Sequence, residues 1–369
     1  MPQTELMREA ENMMTVCNAC RYCEGFCAVW PAMEYRRKFP VSDLKYLANL
    51  CHNCSECYYA CQYAPPHEWA VNPPQTFARI RAESYQEYAW PKALASAFRA
   101  NGLVVSLLTA LMLVVLFFGV IQTAGSRSLS TAVAGADFYK IVPHEVLVLT
   151  FGAVGLFVVI ALGIGLLRFW RDIGEQVPDL FNAPALSKAV KEVLRLEYLD
   201  DGGWGCAYPG EKSSQLRRWF HHFTFYGFLL CFAATTLGAI YYYGFGWTGT
   251  YGYTSLPVVL GTLGGLGLLI GPLGLWCLKA RRNREITDES QQGMDVAFIV
   301  LLLLTSVTGL LLLVLRETAA MGSLLAIHLG IVMTLFLMLP YGKFVHGLYR
   351  SAAILKYALE RARKRTLGV

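Results

Sequence analysis

Polar and apolar positions divide this chain into two unlike parts. Residues 1 to about 100 mix charged, polar and apolar positions and are interrupted by prolines. Beyond them come six almost uncharged stretches, at about 103–122, 146–167, 219–243, 254–277, 296–315 and 321–345. Each approaches or exceeds the ~20 residues a helix needs to cross a bilayer. No Lys, Arg, Asp or Glu occurs from Trp219 to Cys277, so that block must hold two helices joined by a Gly/Tyr-rich turn. One such run could be a core helix of a soluble protein; six in series predict a membrane domain over 101–349. A loop at 168–218 divides spans two and three, and a basic tail follows at 350–369. Residues 42–50 (SDLKYLANL) predict a helix capped by Ser42. In the loop, residues 186–199 place Leu186, Ala189, Val190, Val193 and Leu194 on one helical face, predicting a segment docked against the N-terminal domain.

Composition agrees with this division. The 369 residues are 55% hydrophobic and 16% charged, against roughly 25% charged in soluble domains. A single water-soluble domain, a disordered chain and a collagen-like chain are all excluded. Glu5, Arg8, Glu9 and Glu11 precede any long apolar run, so the start of the chain does not read as a secretory signal. The first hundred residues carry ten basic and ten acidic side chains, which describes a small globular domain and no nucleic-acid arm. With six spans both ends share one side, and that side holds 29 of the 32 Lys and Arg; Arg127, Lys140 and Arg316 lie opposite. The bias toward positive charge inside predicts cytoplasmic termini and a multi-pass protein of the inner membrane.

Eight of the eleven cysteines fall in two matching runs, Cys17-x2-Cys20-x2-Cys23-x3-Cys27 and Cys51-x2-Cys54-x2-Cys57-x3-Cys61. Such crowding excludes a disulfide-stapled secreted fold. Structural zinc prefers C-x2-C pairs set further apart. The spacing is that of bacterial ferredoxins: three thiolates wrap three corners of a cubane, and the fourth cysteine crosses to the other cluster. The pattern thus assigns Cys17, Cys20, Cys23 and Cys61 to one [4Fe–4S] cluster and Cys51, Cys54, Cys57 and Cys27 to another. The proline that usually follows the fourth cysteine is missing, since Ala28 and Gln62 stand there. The intervening helix predicts a mostly helical ferredoxin-like domain. Cys206, Cys231 and Cys277 read as structural.

Ionisable side chains within or beside spans are functional candidates by default, and here they are His144, His221, His222, His328 and His346. Imidazole is the usual axial ligand of b-type haem, and without C-x-x-C-H there is no covalent haem attachment. His328 and His346 are eighteen residues apart, five whole turns of an uninterrupted helix, which would align them ~27 Å apart on one face. His346 then shares a depth with His221 and His222, and His328 shares one with His144. Two stacked haems, with axial pairs His222–His346 and His144–His328, are the expectation; nothing in the spacing separates His222 from His221. Gly261–Gly274 lacks G-x-G-x-x-G and lies inside a span, so Gly261-x3-Gly265 and Gly267-x3-Gly271 predict close helix packing. No flavin, nicotinamide or nucleophile–base site is visible.

The doubled cysteine runs, six spans and the segment DDGGWGCAYPGEKSSQLRRWFHHFTFYGF at 200–228 together resemble the TcuB/CitB family, tricarballylate or citrate utilisation protein B. The resemblance covers essentially the whole chain. It implies a partner, an FAD-containing tricarballylate dehydrogenase-like flavoprotein that this chain reoxidises, and a haem-bearing membrane part. The fold class expected is mainly α: a helical two-[4Fe–4S] domain followed by a six-helix cytochrome b-like bundle. The expected role is electron transfer from that flavoprotein through the clusters and b-type haem to quinone. A redox sensor or a cluster-bearing membrane anchor is the alternative, though it leaves paired histidines without a use. A tricarboxylate transporter would want cations within the spans, and none is there.

Overall fold

The computed structural model describes residues 4–200, 203–247 and 251–367, with no side chains beyond 364. Residues 201–202 of the family-like segment, 248–250 of the Gly/Tyr turn and the last two residues of the tail lie outside it. Five helices build the N-terminal domain. α1 (Glu5–Cys20) is capped by Thr4, whose Oγ1 accepts the Met7 N–H at 3.3 Å, and it ends where Arg21 turns left-handed. α2 (Val29–Glu34) and α3 (Val41–Leu50) follow. The cap expected at Ser42 is not used. Pro40, fixed near φ −60°, sets the entry two residues earlier and leaves Ser42 inside the helix. α4 (Glu56–Tyr59) is a single turn, and α5 (Pro73–Tyr88) opens on two prolines under an Asn72 cap.

Six long apolar helices could cross a membrane. They are α6 (Asn101–Ala124), α7 (His144–Asp172), α9 (Leu216–Phe245), α10 (Leu256–Ala280), α11 (Gln292–Leu315) and α12 (Met321–Met338). Between α7 and α9 lie α8 (Ala183–Leu194) and a two-stranded hairpin, β1 (Cys206–Ala207) with β2 (Ser213–Ser214). Small residues bring α9 against α10, as the glycine spacing predicts. A Cβ on Gly267 would stand 2.9 Å from the Phe223 carbonyl, and one on Gly264 2.7 Å from the Cys231 sulfur. Gly265 instead faces α11, where its carbonyl accepts the Ser306 hydroxyl at 2.5 Å.

The sixth span differs from expectation. Pro340 has no N–H to continue a helix, so α12 passes into a 3₁₀ turn at Leu339–Tyr341 and the chain is extended at Gly342. The Asn101 amide takes up the Tyr341 carbonyl at 2.8 Å. A new helix, α13 (Val345–Leu367), then begins. His328 and His346 are therefore on different helices, and the five-turn alignment does not apply.

The expected tail is also a helix, and a central one. Every residue of α13 from Ala352 to Leu359 is buried, the mark of a helix enclosed on all sides. Glu360 pairs with Arg36 of the N-terminal domain at 2.5 Å and accepts the Tyr46 hydroxyl at 3.0 Å. Arg361 pairs with Glu192 of α8 at 2.6 Å. α8 thus docks on α13 through Ala185, Ala189 and Glu192, while Leu186, Val190 and Leu194 face outward. Of the expected apolar face only Ala189 and Val193 lie against the core, and the helix α8 docks on is α13 rather than one of the N-terminal domain, because the ion pair and the two alanines select that side. An extra turn of α7 completes the joint: Asp172 receives the Lys45 ammonium at 2.9 Å and the Tyr88 hydroxyl at 2.5 Å. The N-terminal domain and the helix bundle are held together by these contacts.

Candidate metal centres

The two cysteine runs lie on either side of α3. Cys17 and Cys20 end α1, Cys23 and Cys27 follow in the turn before α2, and Cys51 begins a loop that reaches Cys61 through α4. That loop winds tightly, with Asn53 and Ser55 both in the left-handed region (φ 58° and 75°). Such strain collects where a backbone must wrap a site.

A cavity of about 260 Å³ is lined by Cys17, Cys20, Cys23, Cys57 and Cys61, and exposed Tyr22 stands at its edge. A second, tighter hollow is lined by Cys27, Cys51, Cys54 and Cys57. Cys61 therefore joins the first run, Cys27 joins the second, and Cys57 lies between them. Backbone N–H groups point at the sulfurs, from Asn53 to Cys51 at 3.3 Å and from Tyr63 to Cys61 at 3.4 Å. Burial, then the neighbouring Cys61, Cys23 and Cys20, push the Cys17 thiol far up. Burial likewise raises Cys57, with Cys51, Cys23 and Cys27 adding to it. Thiols crowded in this way ionise together only around a compensating cationic core, which an iron–sulfur cluster provides. Among the described residues no three His, Cys, Asp or Glu side chains converge on a point for one metal ion. The donor set fits two cubanes.

Four arginines surround the second hollow. Arg81 and Arg350 donate to the Cys51 carbonyl at 3.3 and 2.8 Å. Arg217 donates to the carbonyls of Asn53 and His52 at 2.8 and 2.9 Å, and Arg282 to the Ser55 hydroxyl at 3.3 Å. Burial and the neighbouring Arg81 pull the Arg350 guanidinium down to about 10, which leaves it charged at neutral pH.

Arg217 and Arg350 each stand four residues from a histidine, His221 on α9 and His346 on α13. One turn beyond the clamp, ~6 Å along each helix, these imidazoles face one another. Their ring centres are 6.1 Å apart and their planes 76° apart. Two imidazoles sharing one metal at ~2 Å from each nitrogen have ring centres roughly 6 Å apart. His346 Nδ1 engages the Lys343 carbonyl, the partner that turns Nε2 toward a metal; His221 Nδ1 is buried without a partner. The pair fits an axial ligand set.

The remaining histidines do not pair as expected. His222, expected opposite His346, stacks on Tyr226 at 5.6 Å instead. Adjacent residues point ~100° apart on a helix, so only one can face α13. His144 stacks on Tyr242 at 3.6 Å and touches Tyr139 and Tyr243. His328 instead meets the Thr308 hydroxyl at 2.9 Å, with Gly309 beneath its ring. His144 and His328 are thus each engaged by other side chains and are not paired with one another. Sequence reasoning missed Arg217 and Arg350, although the four-residue spacing to His221 and His346 was legible. It also missed His52, buried beside both arginines with Nδ1 2.9 Å from the Leu50 carbonyl. Cys206, taken as merely structural, lies against Cys54.

A helical double-cysteine domain held on six long apolar helices defines a membrane protein of the iron–sulfur type. The chain matches the family "Citrate utilization protein B" over residues 96–367 and its Fer4-like domain over residues 10–87. It is 50% identical over 368 residues, 99% of this chain and 96% of the relative, to the citrate utilization protein B of Escherichia coli. The chain belongs to the citrate utilization protein B family. No solved structure matches it.

Proposed function

We propose that this chain reoxidises a reduced flavoprotein dehydrogenase and delivers its electrons to quinone in the inner membrane. Cys17, Cys20, Cys23 and Cys61 hold one [4Fe–4S] cluster, Cys27, Cys51, Cys54 and Cys57 the other, and His221 with His346 a b-type haem. When bound, these groups carry electrons singly, which reconciles a two-electron flavin with one-electron carriers. The chain's own residues supply direction. The first site opens toward the surface beside Tyr22, where a soluble partner can approach. The second is enclosed by Arg81, Arg217, Arg282 and Arg350, whose charge favours the reduced, more negative form. An electron is therefore drawn from the exposed site to the enclosed one, next to the histidine pair.

The observation that carries this reading is the double clamp: Arg217 and Arg350 grip the second cysteine loop, each one turn from a histidine of the facing pair. One haem is proposed, because His144 and His328 are not brought together. The charge bias along the sequence supports cytoplasmic termini, which puts the cysteine domain where a soluble dehydrogenase can meet it. In the test, purified chain in detergent is mixed with a reduced flavoprotein dehydrogenase for tricarballylate or citrate-like acids, and a water-soluble quinone is added. The optical b-type signal and the cluster signals should appear and then discharge to quinone. A chain with clusters but no haem absorbance, inert toward quinone, would favour the sensor or anchor reading.

A further inference from the structure

The apolar face that α8 leaves uncovered continues the face that α9 turns outward. Leu186, Val190 and Leu194 stand four residues apart in one row along α8, each 38–45% exposed. Trp219, Phe223 and Tyr226 form a similar exposed stripe over the first turns of α9. Two hydrogen bonds join the two helices there. Arg218 donates to the Arg195 carbonyl at 2.9 Å, and the Tyr226 hydroxyl to the Leu194 carbonyl at 2.8 Å. These are among the last carbonyls of α8, which its own ladder leaves free. Arg218 and Tyr226 are eight residues apart, ~12 Å along α9, so the end of α8 lies beside the start of a long apolar helix. Charge on α8 is one-sided. Its only acid, Glu192, is buried against Arg361, whereas Lys191 and the following Arg195 are exposed. Exposed Glu197 comes only after the chain has turned left-handed at Leu196.

We propose that α8 is an interfacial helix: its outward face lies in the lipid leaflet on the side of the N-terminal domain, with Lys191 and Arg195 at the level of anionic headgroups. This rests on the reading of the six long apolar helices as spans. A two-faced helix with basic residues rests at the boundary of headgroups and acyl chains, where its apolar side chains leave water and its cations meet phosphate. Tyrosine and tryptophan are the residues enriched at that depth, and Tyr226 and Trp219 stand there on α9. The occupant follows from continuity. Lipid that covers α9 at the exposed Tyr226 ring also meets Leu194, whose carbonyl the same tyrosine holds. A protein partner would first have to displace that lipid. Because α8 packs on α13 through Ala185, Ala189 and Glu192, its seat in the leaflet braces the helix that carries His346 and Arg350.

The test is nitroxide labelling of the full-length protein in nanodiscs of phosphatidylcholine and phosphatidylglycerol. Single sites are made by Leu186→Cys, Val190→Cys and Lys191→Cys, and by Val114→Cys on the exposed side of α6, in a Cys277→Ser parent that lacks the exposed native thiol. Collisions of each label with oxygen, which concentrates in lipid, are compared with those of a water-soluble nickel chelate. Nickel collisions should be lost at positions 186 and 190 while oxygen collisions persist, and position 191, on the polar edge, should keep both. Nickel collisions at 186 and 190 equal to those at 191 would put the face in water and overturn the proposal. Loss of both reagents at 186 and 190 would mean that a partner protein or a second copy covers the face, and overturns it equally. Should one of these two variants fail to fold, the other decides by the same criteria. Position 114 separates the two readings: nickel reaching it would refute the spans themselves, whereas nickel excluded there but not at 190 refutes the interfacial helix alone.

Discussion

Replacing Arg350 with methionine isolates the charge of the clamp from its packing. The side chain keeps its length and apolar stem, while one positive charge disappears beside the second cysteine site. The Cys51 carbonyl that loses the Arg350 donor at 2.8 Å keeps Arg81 at 3.3 Å, so no buried acceptor is orphaned. With the guanidinium against the backbone of a ligating residue, its charge lies ~8 Å from the centre of a bound cluster. At an effective dielectric of ~20 a unit charge at that distance contributes ~2 kcal/mol. For a one-electron couple, with tenfold equal to 59 mV, this is roughly 90 mV. Rearrangement of Arg81, Arg217 and Arg282 would reduce it, so a fall of about 50–90 mV is expected. The sign follows from charge: a lost cation disfavours the more negative, reduced cluster. The first cluster, roughly twice as far away, should move by half as much or less. Redox titration followed by low-temperature EPR resolves the two signals, and quinone reduction should slow because the downhill step has shrunk. Equal shifts in both clusters, or no shift in either, would refute the local-field argument and with it the direction assigned to the electron path.

Three further outcomes follow from the geometry. His221→Ala should abolish or convert the low-spin b-type spectrum while leaving both clusters intact, and His222→Ala should leave that spectrum in place; the reverse result in optical spectra of the two variants would return the axial role to His222. Cys61→Ser should damage the cluster held by Cys17, Cys20 and Cys23, seen by iron analysis and EPR, whereas loss of the Cys51, Cys54 and Cys57 cluster would mean the ligation is not crossed. Glu360→Ala removes the acid that ties α13 to Arg36 and Tyr46, but Arg36 retains Asp43 at 2.8 Å. The cost should therefore be ~1–3 kcal/mol, below the 3–5 of a fully broken buried pair. Faster amide exchange along α13 would report it, and unchanged exchange would show that the apolar contacts alone hold the helix.

Much of this architecture was written in local pattern. Six uncharged runs fixed the number of long apolar helices, because a helix that meets lipid must be apolar along its whole length. The cysteine spacings pointed to the eight thiols that line the two hollows, since a cube's corners demand close ligands from one turn of chain and a distant fourth, but not to Cys206 beside Cys54. Glycines four apart announced the α9–α10 contact. Tertiary structure decided which side chains meet. Whether His221 or His222 faces α13 depends on the rotation of α9 against its neighbours, which no spacing within α9 records. Pro340 was visible, but its effect on the His328–His346 relation appears only where the Asn101 amide caps the freed carbonyl and α13 turns toward the cysteine domain. Cys206 lies 152 residues beyond Cys54 in the chain, and only the hairpin brings the two together. Sequence periodicity records what one element needs from its surroundings; contact between elements is set by packing shared among all of them, so the meeting of His221 with His346 and of the arginines with the second cysteine loop is set only in three dimensions.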